Sequence, residues 1–416
     1  MGWKKVKLGD VIFKKNLRLK DVEDINDPLV LGVTNNEGVV VSKVDAGKKI
    51  EDYYVIDKGD FIYNPYRINV GSIGISELEG ITSLAYVVFN VDETKINKYL
   101  LLKFLKSEFG IIEIKKNGRG SVRNALRFDD LANIEITLSS IEKQNEFVEK
   151  YKKKEEIVES INNELTFQFV QLENLNQAIL QEAVQGKLVP QDLDDEPATE
   201  LLKRIKAEKK KEDNGKKHKP LPPIKPEEIP FEIPKSWVWC RLGEMSINRD
   251  EERKPISQAE RNRRQKIYDY YGASGIIDKI DGYTHEGELL LVGEDGANLV
   301  TRSTPIAFIA KGKFWVNNHA HVLDALDRIT LDYLCAYINS IDLKPFLTGG
   351  FQPKLNQRNL NIVPVPLPPL AEQKRIVAEI EKQLAEIEQL KECVAANQEA
   401  TEQLLKALLQ EAFEGE

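Results

Sequence analysis

From Leu370 to Phe413 the chain carries no Gly or Pro, and apolar residues recur at helical steps: Ile376, Ile380, Leu384, Ile387, Leu390 and Val394. Thr401, Leu404, Leu405 and Leu408 carry the same face onward. This spacing predicts one long helix with a narrow seam that packs on another helix. The approach, Val363-Pro364-Val365-Pro366-Leu367-Pro368-Pro369, forbids helix and sets an extended lead-in. Gly415 stands where the helix end is expected. The same pattern occurs 229 positions earlier: Phe147, Val148, Tyr151, Val158, Ile161 and Leu165 match Ile376, Val377, Ile380, Ile387, Leu390 and Val394. Gln144 matches Gln373, and Leu180 to Gly186 matches Leu409 to Gly415 without a gap. Trp3, Leu8 and Gly9 match Trp237, Leu242 and Gly243 at an offset of 234. The chain is therefore read as a tandem duplication, each half a globular domain followed by a long helix.

Between the helices the periodicity changes. Residues 1–140 hold short β-branched and aromatic runs at Pro28–Val33, Val39–Ser42, Phe61–Tyr63 and Ala85–Val91, which predict strands. Asn97 to Phe109 reads as a helix with Tyr99, Leu100, Leu102 and Leu105 on its apolar face. Residues 234–369 repeat this mixed plan. The expected fold is α+β: two mixed α/β domains (1–140 and 234–369) and two long helices (141–187 and 370–416) that pair as an antiparallel coiled coil with pseudo-twofold symmetry. Residues 188–233 form a connector with a short charged helix, Ala198 to about Glu212, and a Pro-rich spacer at 220–226.

Composition adds limits. The net charge of −8 at first argues against a nucleic-acid partner. By segment, the acid lies on the helices: 370–416 holds 11 acidic against 5 basic side chains, whereas 1–140 holds 20 against 21. The domains are thus near neutral with local basic clusters, and the helices are expected to bind protein rather than a polyanion. Three scattered Cys imply no disulfide framework and point to a reducing, cytoplasmic setting. No apolar run reaches transmembrane length.

Candidate contact residues sit in turn-rich loops. In the first half these are Tyr63, Asn64, Arg67 and Asn69, in a segment after a strand, and Arg119, Ser121 and Arg123, in the loop 117–124. In the second half they are Arg264, Lys266, Tyr271, Asn298, Arg302, Asn317, His319, Gln352 and Lys354, where 349–354 is the repeat-equivalent of the Arg119 loop. Arg, Lys, Asn and Gln side chains on loops can meet phosphates or base edges; the same composition also makes ordinary surface turns. Enzyme signatures are weak. Asn64-Pro65-Tyr66 is one Pro short of an amino-methyltransferase motif and has no nucleotide loop beside it. His319-Ala320-His321 lacks a third ligand. No Walker loop, nucleophile elbow or defensible nuclease cluster is present. A binding or scaffold protein is favoured.

Leu367-Pro368-Pro369-Leu370-Ala371-Glu372-Gln373-Lys374-Arg375-Ile376-Val377, its degenerate twin before Phe147, and Gln185-Gly186-Lys187-Leu188-Val189-Pro190-Gln191 resemble the DNA-specificity subunit of type I restriction–modification systems. So do Pro230 to Trp237 and Gly312 to Ala320, and the resemblance covers the full chain. It departs at Ser139-Ser140-Ile141, where the second half has Pro368-Pro369-Leu370. The resemblance implies two target-recognition domains, each reading one part of a bipartite site in double-stranded DNA. It implies no catalysis in this chain. Two modification subunits would use S-adenosylmethionine to methylate adenine, and restriction subunits would use ATP and Mg. Arg67, Asn69, Arg119 and Arg123 are then expected to serve the first half-site, and Arg264, Lys266, Asn317, His319 and Lys354 the second. Phe167, Phe169 and Leu409 are expected as exposed contacts for a modification subunit. The helices, about 45 residues or roughly 65–70 Å each, are expected to act as a ruler between half-sites. The recognition subunit of another bipartite restriction system, or a coiled-coil scaffold without DNA function, are the alternatives.

Overall fold

The computed structural model describes residues 3–22, 27–43, 49–119, 125–212, 220–350 and 352–414. The chain divides into two compact units. The first comprises Met1–Thr166 with Ala395–Glu416, and the second Phe167–Val394. Sequence boundaries at 140 and 369 fall at the helix starts, but each unit takes half of both long helices, Ile141–Val184 and Leu370–Glu414.

In the first unit a four-stranded antiparallel sheet runs Ile12–Lys14, Val87–Val91, Phe61–Tyr63, Ile73–Ile75. Its core stacks Phe61 on Phe89 at 4.7 Å between ring centres, under Leu8, Leu101 and Phe104. The stretch read as one helix from Asn97 is two, Lys98–Lys106 and Glu108–Asn117. Asn97 caps the first, its side chain accepting from the Tyr99 and Leu100 amides at 2.9 and 3.1 Å. Ser107 ends it and caps the second by accepting from the Gly110 amide. A Cβ at Gly110 would stand 1.9 Å from the Phe104 carbonyl oxygen, so this tight junction needs glycine. Apolar periodicity alone does not see such a break.

In the second unit a six-stranded sheet runs Ile247–Asn248, Ala320–Asp324, His285–Gly293, Ala307–Val316, Tyr268–Gly272, Gly275–Ile280. The helix Arg328–Ser340 packs on its strands at Ala307–Val316 and His285–Gly293. The connector is more than a spacer. Ala198, Leu201 and Ile205 of its helix are buried in the main core of this unit. The Arg241 guanidinium, 3% exposed, donates to the carbonyls of Pro222, Pro223 and Ile362 and pairs with Glu228.

The duplication is visible in backbone register. Lys4–Lys7 pairs antiparallel with Glu135–Leu138, and Val238–Arg241 with Pro364–Leu367. Lys4 faces Leu138, and Val238 faces Leu367, so the 234 and 229 offsets meet in one pairing. Leu8 N donates to Ile134 O and Leu242 N to Val363 O, both at 2.9 Å. Pro364 and Pro366 are tolerated because the pair has only two strands, and the Tyr337 and Tyr333 hydroxyls donate to their carbonyls. Each long helix starts at a buried glutamine latch. Gln144 Nε2 donates to Ser139 O and Lys95 O and accepts from Asn97 N at Oε1. Gln373 Nε2 donates to Pro368 O, and its Oε1 accepts from the Thr330 hydroxyl.

The helices form an antiparallel coiled coil. In the first unit Val148 and Tyr151 pack with Leu409 and Ala412, and Thr401 meets Asn162 at 3.2 Å. In the second, Ile179, Leu180 and Ala183 share a core with Ile376, Ile380 and Ile387. The seam differs from the one read in the sequence. Leu390 and Leu404 are about half exposed, and Lys391 and Leu405 take the inward positions. The inward set steps 4 and 3 alternately through 380, 384, 387, 391, 394, 398, 401, 405, 408 and 412, a heptad that admits Lys391, Gln398 and Thr401. Lys391 lays its stem along the seam and ends 2.5 Å from Glu173. Ile161 is correspondingly outside the seam, and Leu409 is buried, so it is not the exposed contact expected of it. Phe167 and Phe169 are exposed as expected. Gly415 lies outside the described residues. No helix among the described residues is long and apolar enough to cross a membrane.

Candidate nucleic-acid interfaces

In the first unit the two loops singled out in the sequence lie side by side. Leu126 N donates to Pro65 O at 2.9 Å, and the Tyr63 hydroxyl donates to Leu126 O at 3.1 Å. Asn64 makes an Asx turn, its Oδ1 accepting from Tyr66 N at 3.0 Å. That turn throws Tyr66 outward, 60% exposed, next to Arg67. The Arg67 guanidinium is exposed and has no partner among the described residues. Asn69 lies half-buried beside Gly118 in a small crevice with Pro65 and Leu126. The Arg119 side chain is exposed and reaches the buried carboxylate of Asp130 at 2.7 Å. Ser121 and Arg123 lie outside the described residues. Tyr63 requires correction: it is fully buried, and burial, reinforced by Asp130, pushes its hydroxyl well above the usual phenol range. It supports the loop from below. Tyr66, noted in the sequence within a weak Asn-Pro-Tyr motif but not among the contact residues, is an exposed aromatic here; the Asn-Pro turn ahead of it is the signal that marks it.

In the second unit four loops converge. Asn317 N donates to Tyr271 O, Glu294 N to His319 O at 2.8 Å, and Leu355 N to Glu294 O at 2.7 Å. A Cβ on Gly293 would lie 2.8 Å from Ala273 O, which places the 273–274 turn in the same cluster. His319 is half exposed and bonds Asp295 at 2.8 Å. Lys354 is half exposed and reaches Glu294 at 3.1 Å. Gln352 is exposed between them in the chain. These three form the polar surface of the cluster.

Beneath them lies an ionic network. Glu294, 8% exposed, receives Arg253 at 2.7 Å. Burial would raise the Glu294 carboxyl, but Arg253, His321 and Lys354 outweigh it and hold it below its ordinary value. Arg253 also donates to Ala320 O and lies 3.3 Å from Asp250. Asp250 accepts from His321 at 2.6 Å and from Val322 N at 2.8 Å, and it too stays below its ordinary value against the effect of burial. Asp250 and Arg253 were missed in the sequence. Their partners are 41 to 72 positions away, and only their i, i+3 spacing hints at a pair.

Other expected contacts have structural duties. Asn317 is 4% exposed, and its Oδ1 accepts from His319 N. Tyr271 is 9% exposed and packs against Phe308 and Phe314. Asn298 folds its own turn, bonding Thr304 N and O. Arg302, with φ of 51°, donates to the carbonyls of Asn339 and Ile341, and burial lowers its affinity for the proton. Arg264 pairs with Asp281 at 2.5 Å over the Trp315 ring, and Lys266 with Asp278 at 2.7 Å. These two remain partly open to solvent, and among the described residues no hydrogen bond or ion pair joins them to the loop cluster.

The chain matches the family model for the type I restriction modification DNA specificity domain over residues 1–166 and 234–394. It is 31% identical over 271 residues to the EcoEI specificity subunit of Escherichia coli, covering 58% of this chain and 45% of that protein. It is 67% identical over 72 residues to the EcoAI specificity subunit of Escherichia coli, covering 17% of this chain and 12% of that one. The chain thus spans under half the length of these curated relatives. Its fold matches a chain solved in work on complex assembly and conformational transition of the type I R-M system. That match has a TM-score of 0.69 at 19% identity, over 99% of this chain and 97% of the other.

Proposed function

Because this chain belongs to the type I restriction modification DNA specificity family, we propose that it is the sequence-reading subunit of such a system. Each duplicated domain reads one half of a bipartite site in double-stranded DNA. The observation that carries this is the convergence, in each unit separately, of sequence-distant loops into one polar surface. In the first unit the surface bears Tyr66, Arg67, Asn69 and Arg119; in the second His319, Gln352 and Lys354. Exposed cationic and amide groups on braced loops can bond base edges and phosphates. The chain performs no chemistry. Modification subunits supply S-adenosylmethionine-dependent adenine methylation, and restriction subunits supply ATP- and Mg-dependent cleavage. The coiled coil offers them exposed Phe167, Phe169 and Val170 on its outer surface.

Fluorescence anisotropy on a duplex library, with the purified chain alone and with a modification subunit, tests the proposal. Sequence-selective binding, and no S-adenosylmethionine uptake by the chain alone in calorimetry, is expected. Binding that is indifferent to sequence in both preparations would leave a scaffold.

A further inference from the structure

His321 is 1% exposed and sits between two groups that can only accept. Its Nδ1 lies 2.6 Å from the Asp250 carboxylate, and its Nε2 lies 2.7 Å from the Leu355 carbonyl oxygen. Asp250 accepts from Val322 N through its other oxygen, and Arg253 lies 3.3 Å from the oxygen that faces His321, so the carboxylate is held ionised, below its ordinary value. A neutral imidazole has one N–H and one lone pair. Either tautomer would therefore aim a lone pair at an oxygen inside the protein. Turning the ring over would lose both bonds.

The charges nearby give the same answer. The groups facing the ring from every packed element are Asp250, Glu294 at 3.9 Å, Arg253 bridging those two carboxylates, and Lys354 on the outer side of Glu294. Asp250 and Glu294 carry two negative charges in the interior. Arg253 supplies one buried positive charge, and an imidazolium at 321 supplies the second. Lys354, half exposed, then remains as the cation turned towards solvent.

We propose that His321 is held as an imidazolium and that this buried cation positions Gln352–Leu355 for reading the second half-site. The proposal rests on the reading above that this face meets DNA. His321 touches no base itself. It fixes Leu355 O, while Leu355 N is fixed by Glu294 O, and Thr348 and Lys354 pair backbone to backbone. Gln352 and Lys354 are thereby presented from a loop clamped at its base. The Asp250 carboxylate retains the Nδ1 proton, so a neutral ring is the one that has lost the Nε2 proton; it releases Leu355 O and leaves a buried negative charge in excess.

Two measurements test this on the full chain. The chain has four histidines. With ¹⁵N-histidine labelling at about pH 7.5, His321 should show both ring nitrogens protonated, in signals that vanish in His321→Gln. A ring with one unprotonated nitrogen overturns the proposal. In the second, the complex with modification subunits competes for duplexes altered in one half-site or the other. His321→Gln should lower discrimination at the second half-site by roughly tenfold and leave the first unchanged. The ¹⁵N measurement on the unsubstituted protein decides the matter even if the variant fails to fold. Undiminished second-site discrimination in His321→Gln also overturns it. Discrimination at neither half-site in the unsubstituted protein would instead defeat the proposed function, with the NMR result still deciding the protonation of His321.

Discussion

Gln144→Ala is the sharpest test of how the helices are seated. The side chain is 2% exposed and makes three hydrogen bonds, to Ser139 O at 2.9 Å, to Lys95 O at 3.1 Å and from Asn97 N at 3.0 Å. Alanine removes all three and leaves two carbonyls and one amide without partners at a buried junction. Three net hydrogen bonds at about 0.5–1.5 kcal/mol each, with partners poorly reached by water, give a cost of about 2–4 kcal/mol. At 1.4 kcal/mol per factor of ten this is roughly a 30- to 700-fold increase in local opening. Hydrogen-exchange mass spectrometry reads it directly, because opening of the helix start exposes the amides at 141–148. Exchange there should rise by that factor, and exchange at 370–377, held by Gln373 in the other unit, should not change. The matched substitution Gln373→Ala removes two bonds and should show the smaller, complementary effect. An increase below threefold at 141–148, or an equal increase at both helix starts, would refute the latch.

Arg253→Ala leaves the Glu294 and Asp250 carboxylates without their buried partner and should destabilise the second unit by about 3–5 kcal/mol; an unchanged thermal midpoint would count against the network. Burial raises the Glu372 carboxyl above its ordinary value of 4.5, against the hydrogen bonds from Trp237 and Gln191. The native state therefore holds that proton more tightly, and the resulting stability is present in acid and lost as pH rises from about 4.5 through the folded value. In urea unfolding, the stability of the unsubstituted chain relative to Glu372→Gln should accordingly fall as pH is raised; a flat difference would exclude the effect. Phe167→Asp should weaken binding of a modification subunit in calorimetry while helix content by circular dichroism stays the same.

The sequence made legible whatever repeats or is local. The match of Gln144 to Gln373 and of Trp3 to Trp237 marked the duplication, but the strand pairing that recurs in each half was not read from it. The long helices were plain from forty residues without Gly or Pro. What it hid depends on contacts between distant positions. The inward sites of the coiled coil include Lys391 and Gln398, so counting apolar residues put Leu390 and Leu404 in the seam, although Thr401 was read there correctly. Polarity did not separate exposed Gln352 from buried Asn317, or exposed Tyr66 from buried Tyr63, because both members of each pair sit in turn-rich segments. The clamp on Leu355 joins residues 34 positions apart through a histidine whose sequence neighbourhood read only as polar surface, a metal site there lacking a third ligand. The connector read as a spacer because its helix is highly charged, yet Leu201 and Ile205 suffice to dock it.

The central claim is that each domain reads its own half of a bipartite site. It is tested most directly by sequencing methylated adenines in DNA modified by the complete complex. Three forms are compared: unsubstituted, Arg67→Ala with Arg119→Ala, and Gln352→Ala with Lys354→Ala. A two-part consensus is expected, in which the first pair of changes relaxes one part only and the second pair relaxes only the other. A single uninterrupted consensus, or equal relaxation of both parts by either pair, would contradict it.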